Sequence, residues 1–336
     1  MKKRFLLVIT GLMVIFLLAA CGSKSKDDVV EELNGKLNDL TGYKVDAKMT
    51  LKMGTDSQVY NVEIWHKDPT FYRVNLKNAE KDQSQMILRN NEGVFVLTPA
   101  LKKSFKFQSD WPQNSSQAYL YESLIKDIVE DKESKFTATK EHYVFETKTR
   151  YQNNSMLPIQ EIKLNKEDLS PATVKVMDPD RNALVTVEFS KVKFNASFDD
   201  SDFDMKKNMT RADLNLPVMA DSKDEAFSVK YPTADLGSKL VDEKEVKLED
   251  GKRVVLTYEG EKSFTIVQEK VTVKEASSSP TYVDGDLVDL GFTIGAVSEG
   301  SITWTVDGVD YMIASNDLTE KELVEIARTV QGDVEK

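Results

Sequence analysis

The chain is poor in the residues on which most recognisable protein chemistry is built. It has one cysteine, Cys21, and two histidines, His66 and His142, in 336 residues. A single cysteine rules out a disulfide framework and a cysteine-rich zinc site, and two histidines leave little room for triad chemistry. Basic charge is also short: 45 Lys and Arg stand against 56 Asp and Glu, a formal net charge of −11. Nucleic-acid binding needs a basic face, so this balance argues against it. The motifs of nucleotide and hydrolase chemistry are missing too. Gly295 and Gly300 have phosphate-loop spacing, but Ser301 and Ile302 follow where a lysine is required. There is no G-x-S-x-G elbow, no H-E-x-x-H and no G-x-G-x-x-G. Asp284-Gly285-Asp286 with Asp289 lacks the spacing and closing Glu of a calcium loop and reads as a turn. What remains is binding, scaffolding or an enzyme built on carboxylates. No catalytic residue, metal site or cofactor is expected.

What is present begins with the leader. Lys2, Lys3 and Arg4 precede an uncharged run, Phe5 to Ala20. At roughly 16 residues this run matches a signal-peptide core better than a membrane span of about 20. It ends in Leu18-Ala19-Ala20-Cys21, a bacterial lipobox, and Cys21 is the only cysteine. Cleavage is expected between Ala20 and Cys21, with the Cys21 thiol carrying diacylglycerol. The mature body, at −14 once the three basic residues are gone, would be repelled by anionic headgroups and stand off the bilayer. The expected location is the cell membrane, lipid-anchored on the extracytoplasmic face.

Residues 21–27 then form a tether. Ser25-x-x-Asp28 resembles a capping box, and Val29, Leu33 and Leu37 share one helical face, with the helix ending near Gly42. The period next changes to two. Tyr43, Val45, Ala47, Met49, Leu51 and Met53 are apolar and the residues between them polar, as in a half-buried antiparallel strand. Tyr60, Val62 and Ile64 continue it beyond a turn. Further strands are predicted at 71–76, 84–89, 93–98, 104–107, 142–150, 159–164, 172–178 and 184–194, and a helix at about 115–130. The register slip at Ser190 predicts a β-bulge. His66 and His142 fall near strand ends, where contact with solvent is expected. A linker at 216–224 separates residues 28–215 from a smaller α+β unit at 225–332. In that unit, Phe227 and Val229 start a strand predicted to stop at Pro232, and further strands are predicted at Val246–Leu248, Val254–Tyr258, Ser263–Val267, Val271–Val273, Phe292–Val297, Ile302–Val306 and Val309–Ala314. Asp250-Gly251 and Asp307-Gly308 are hairpin signals. Thr319-x-x-Glu322 caps a last helix whose buried face is Leu323, Ile326, Ala327 and Val330.

Three stretches carry a family resemblance: Val62–Val74 (VEIWHKDPTFYRV), Asn91–Pro99 (NEGVFVLTP) and Val187–Asn195 (VEFSKVKFN), with Asp202-Phe203-Asp204 behind them. They resemble the outer-membrane lipoprotein-sorting superfamily of LolA, LolB and LppX type, in its lipobox-bearing Gram-positive, sporulation-type branch. The resemblance implies a mainly β (α+β) fold: a curved antiparallel unclosed β-barrel with a helical lid or plug, followed by the small α+β domain. In the carriers the hollow holds acyl chains. They typically place Arg before the proline matching Pro69, and this chain has Asp68 there, so no latch residue is carried over.

On that basis the ligand cavity is placed at Tyr43, Val45, Met49, Leu51, Tyr60, Val62, Ile64, Met86 and Leu88, with Leu120, Leu124 and Ile128 as the lid. The aromatics Trp65, Phe71, Tyr72, Phe95, Phe105, Phe107 and Trp111 are either ordinary core or the wall of such a cavity. The leading expectation is a non-enzymatic anchored envelope lipoprotein that binds a lipid or lipoprotein acyl chain. The alternative is a sensor or protein-interaction module acting on a membrane partner, such as an anti-sigma factor or a sporulation complex.

Overall fold

The computed structural model describes residues 24–330, apart from 54–55, 81–83, 108, 114–115, 152–155, 215–227, 235, 249–250, 271–279, 284 and 291. The signal peptide, the lipobox, the linker at 216–224 and the strand expected at Val271–Val273 lie outside the described residues.

The chain opens with α1 (Lys26–Asn38) and runs into six strands: β1 (Gly42–Met53), β2 (Asp56–Lys67), β3 (Phe71–Asn78), β4 (Ser84–Asn90), β5 (Gly93–Thr98) and β6 (Lys103–Phe107). After α2 (Tyr121–Glu130) come β7 (Lys135–Ala138), β8 (His142–Lys148), β9 (Ile159–Asn165), β10 (Pro171–Met177) and β11 (Ala183–Phe194). A 3₁₀ turn at Asp200–Phe203 leads into α3 (Met205–Leu214). The second unit holds β12 (Ser238–Leu248), β13 (Gly251–Gly260), β14 (Phe264–Lys270), β15 (Thr281–Val283), β16 (Asp286–Asp289), β17 (Ile294–Ser298), β18 (Ser301–Val306), β19 (Val309–Ala314) and α4 (Glu320–Thr329).

Two sheets result. The larger has the order β15-β6-β5-β4-β3-β2-β1-β11-β10-β9-β8-β7 and the smaller β12-β13-β14-β19-β18-β17-β16. The larger sheet ends in β15 and β7, which do not pair with each other, so it stays unclosed. Sequential strands pair antiparallel, and β1 closes onto β11. α1 packs beside α2 on one side of this sheet. The main core lies between them, and a second apolar cluster of Phe71, Met86, Leu88, Phe95, Leu97 and Phe203 occupies the other side.

Local chemistry accounts for much of this. Ser25 and Asp28 form a reciprocal capping box on α1, and Thr319 with Glu322 does the same for α4. In β1 the alternation becomes burial: Tyr43, Val45, Ala47, Met49 and Leu51 are all buried. The β1–β11 register shifts where Val45 faces two residues, Lys191 and Val192, and Lys191 takes φ +47°. This is the bulge expected near Ser190. Asp307 and Gly308 turn with φ +51° and +73° between paired Val306 and Val309, the conformation a two-residue hairpin loop requires.

Other expectations are corrected. α1 ends at Asn38, not near Gly42. Gly42 begins β1 instead, where an added Cβ would lie 2.5 Å from the His66 carbonyl oxygen. The helix expected from 115 starts only at Tyr121: the Gln117 N–H donates to Ser123 Oγ at 2.8 Å and Ser116 turns toward Asp127, so the residues before Tyr121 form a turn. Of the strand predicted from Phe227, Phe227 lies outside the described residues, and Val229 and Lys230 are not in a strand. The buried Gln268 side chain bonds both the N–H and the carbonyl of Lys230, at 2.9 and 2.5 Å, in place of a strand partner. β12 is longer than the Val246–Leu248 run predicts, β7 and β15 have no predicted counterpart, and Asp286–Asp289, read from the sequence as part of a turn, is strand β16, paired antiparallel with β17.

Candidate functional site

β1 and β2 lay the floor. Val45 faces Ile64, Ala47 faces Val62 and Met49 faces Tyr60 in register, which puts these side chains on the inner side of the curved sheet. Tyr43, Val45, Met49, Leu51, Tyr60, Val62 and Ile64 are at most 7% exposed and belong to one packed cluster. Leu120 at the N-cap of α2, with Leu124 and Ile128 on the helix, is buried in the same cluster.

Met86 and Leu88 are placed differently from the sequence reading. β4 pairs Ile87 with Val74, and it is Ile87 that joins the main core. Met86 and Leu88 point to the opposite side, where Phe203 and the partly buried Met205 and Met209 cover them. Ala20 and Cys21 lie outside the described residues. The aromatics divide in the same way. Phe71 and Phe95 pack on the outer side with Trp65 against them, whereas Tyr72, Phe107 and Trp111 belong to the main core with Phe105 against it.

The open space sits at the edge of this core. A pocket of about 350 Å³ is walled by α1 (Asn34, Leu37), the end of β2 (His66), the β2–β3 turn (Asp68, Pro69), Pro112 and Gln113, α2 (Glu122, Ile125, Lys126) and Arg150. That volume lies within the range of small-ligand pockets. Its lining is mixed in polarity and includes none of the nine expected cavity residues.

His66 is the main surprise. It is 5% exposed and stands beside Tyr43 and Tyr72, at ring-centroid distances of 5.2 and 4.4 Å. Its Nδ1 lies 3.1 Å from the Phe71 carbonyl, which can only accept, so Nδ1 carries a proton, and in the neutral ring Nε2 is the acceptor. The expected solvent contact is largely lost because the Tyr43 and Tyr72 rings flank the imidazole. His142 is only partly buried, and its N–H bonds Thr139 Oγ1 at 2.9 Å. Five strand steps separate β2 from β8, so the two histidines form no pair.

Two carboxylates organise α2. Glu122 accepts the Tyr43 hydroxyl at 2.6 Å. Burial chiefly pushes the Tyr43 and Tyr72 phenols above their usual range, and the Glu122 charge adds to it, so both remain protonated. Asp127, with its side chain fully buried, accepts from Ser116 Oγ at 2.8 Å, from Gln160 Nε2 at 2.5 Å and from Arg150. Burial raises its carboxyl above the ordinary range, against the pull of Arg150 and the two hydrogen bonds. Spacing alone gave no sign of these groups, since they meet from segments far apart in sequence. Among the described residues no cluster of three His, Cys, Asp or Glu has the arrangement of a metal site.

Residues 2–203 match the family described as sporulation protein YdcC-like. Sporulation protein YdcC of Bacillus subtilis (strain 168) is 54% identical over 336 residues, covering 100% of this chain and 99% of that protein. Among solved structures, the MucA/MucB complex of Pseudomonas aeruginosa matches at 13% identity with a TM-score of 0.31, over 89% of this chain and 97% of that one. A putative outer membrane lipoprotein-sorting protein domain from Vibrio parahaemolyticus matches at 14% identity with a TM-score of 0.33, over 56% of this chain and 100% of that one. Both structural likenesses are distant.

Proposed function

Because the chain belongs to the YdcC-like family of sporulation proteins, we propose that it is a non-enzymatic lipoprotein of the cell envelope, held on the outer face of the membrane through Cys21, that works by docking a protein partner. The anchor rests on the lipobox at Leu18–Cys21 and on Cys21 being the sole cysteine. Two acyl chains are enough to hold a protein stably on a bilayer. Labelling with a radioactive fatty acid tests this: the wild type takes up label and Cys21→Ala does not.

One observation carries the choice of docking over lipid carriage. The inner side of the sheet is filled by the chain's own side chains. Tyr43, Val45, Met49 and Ile64 are at most 3% exposed in a packed cluster that also holds Leu120, Leu124, Ile128 and, from the second unit, Phe292. An acyl chain would have to displace this packing, at the cost of its burial energy, about 1.5–3 kcal/mol for each large side chain exposed. Native mass spectrometry of the purified mature body distinguishes the two. The docking reading expects a single mass with no bound lipid. A stoichiometric co-purified lipid would return the concave residues to the role of an acyl-chain site and end the docking reading.

A further inference from the structure

The pocket between α1, α2 and the β2–β3 turn has an unbalanced charge. Three of its ionised lining groups, Lys126, Glu130 and Arg150, are already engaged with one another or with a neighbour. Lys126 lies 3.9 Å from Glu130, and Arg150 pairs with buried Asp127 and lies 3.5 Å from Glu130. Asp68 and Glu122 have no ion-pair partner among the described residues. Glu122 spends one oxygen on the Tyr43 hydroxyl, the Tyr72 hydroxyl also interacts with this carboxylate, and its other oxygen, Oε1, is buried with no hydrogen bond of normal length among the described residues. A buried carboxylate oxygen left without a donor is costly, and a charged donor relieves it best. His66 stands beside it with Nδ1 toward the Phe71 carbonyl, so that its neutral ring presents Nε2 as an acceptor, and Asn34, Tyr72, Gln113 and Ser123 are the other polar lining residues. Leu37, Leu40, Pro69, Pro112 and Ile125 supply apolar walls above these acceptors.

We infer that this pocket receives the cationic end of a basic side chain, a guanidinium or ammonium on an alkyl stem, presented by the protein partner. The apolar walls suit the stem and the acceptor floor suits the head, the division of labour that long basic side chains show wherever they are half-buried. Glu122 is the principal partner of the charge, and Asp68 stands at the exposed rim where it would steer the approach. This inference rests on the docking reading above and adds what the partner must bring.

The two histidines make the test direct, because His66 lines the pocket and His142 lies elsewhere on the sheet. The full-length chain, carrying ¹³C-labelled histidine and solubilised in detergent, is titrated with N-acetyl-arginine amide and with its uncharged isostere, N-acetyl-citrulline amide. The arginine probe should shift the His66 ring signal saturably and leave His142 in place, and the citrulline probe should do neither at the same concentration. Glu122→Gln keeps an oxygen for Tyr43 and should weaken the arginine probe at least tenfold. Equal shifts with both probes, or unchanged affinity in Glu122→Gln, would overturn the assignment. Spermidine, titrated alongside, separates a free polyamine from a side chain. A photo-crosslinker at exposed Gln113 in sporulating cells completes the set. Capture lost in Glu122→Gln supports a partner-borne cation. Capture retained in that variant keeps the docking reading and discards the pocket. No capture, with spermidine bound more tightly than the arginine probe, discards the partner as the source.

Discussion

Gln85 on β4 accepts the Ile294 backbone N–H of β17 on its Oε1 at 2.9 Å, and the same oxygen lies 3.2 Å from the Thr293 hydroxyl. One side chain of the large sheet thus holds the start of a strand in the small one. Lys103 and Asp310 pair at 2.7 Å between the same two units, and β15 adds in parallel to β6 at the edge of the large sheet. Gln85→Ala would leave the Ile294 N–H without its acceptor, at a local cost of about 1–3 kcal/mol. The Ile294 amide should then exchange with solvent at least tenfold faster, while Leu256 and Ile266 in β13 and β14 keep their protection. Unchanged exchange at Ile294 would mean that the contact does not form in solution.

Met49 separates a packed core from a cavity. It faces Tyr60 across the β1–β2 ladder and is 3% exposed. Met49→Trp adds bulk where no space is left and should lower stability by about 1–3 kcal/mol in a urea melt. A melt superimposable on the wild type would reveal spare room and revive an acyl-chain site.

Asp127 sets a pH dependence whose sign is unusual for a paired carboxylate. Burial lifts its folded pKa above the ordinary 3.8, so between the two values the native state holds more protons than the unfolded chain. Stability from this group therefore falls as pH rises through that window and is greatest below it. Asp127→Asn removes the titration and retains an acceptor for Arg150. The stability of the wild type relative to this variant should decline from about pH 4 upward, as read from urea melts at stepped pH. A relative stability that climbs with pH would show that Arg150 outweighs burial.

The bond from Tyr43 to Glu122 fastens α2 to β1. Tyr43→Phe leaves the Glu122 carboxylate without that donor and should cost about 1–3 kcal/mol. Glu122→Gln, which still presents an oxygen to the hydroxyl, should melt close to the wild type. Equal losses in the two variants would mean that the charge, not the hydrogen bond, holds the helix.

Much of the architecture is legible in the sequence where its cause is local. The caps at Ser25–Asp28 and Thr319–Glu322 span three residues, the distance over which a side chain reaches a neighbouring N–H. The alternation from Tyr43 to Leu51 assigns a buried and an exposed face because successive strand residues point to opposite sides. The slip near Ser190 and the Asp307-Gly308 turn are of the same kind.

Only the tertiary structure decided which apolar residues face which core. β4 carries Met86, Ile87 and Leu88 in a row, so period two offers no choice of face. Both sides are buried there because the 3₁₀ turn at 200–203 and α3 cover the outer one. The same holds for His66, whose burial depends on Tyr43 and Tyr72 closing around it, and for β15, whose partner β6 lies far back in the chain. The pocket itself draws on α1, the β2–β3 turn, Pro112, α2 and Arg150. These features depend on contacts between distant residues, which are made only after the chain has collapsed, and a pattern confined to neighbours carries no record of them.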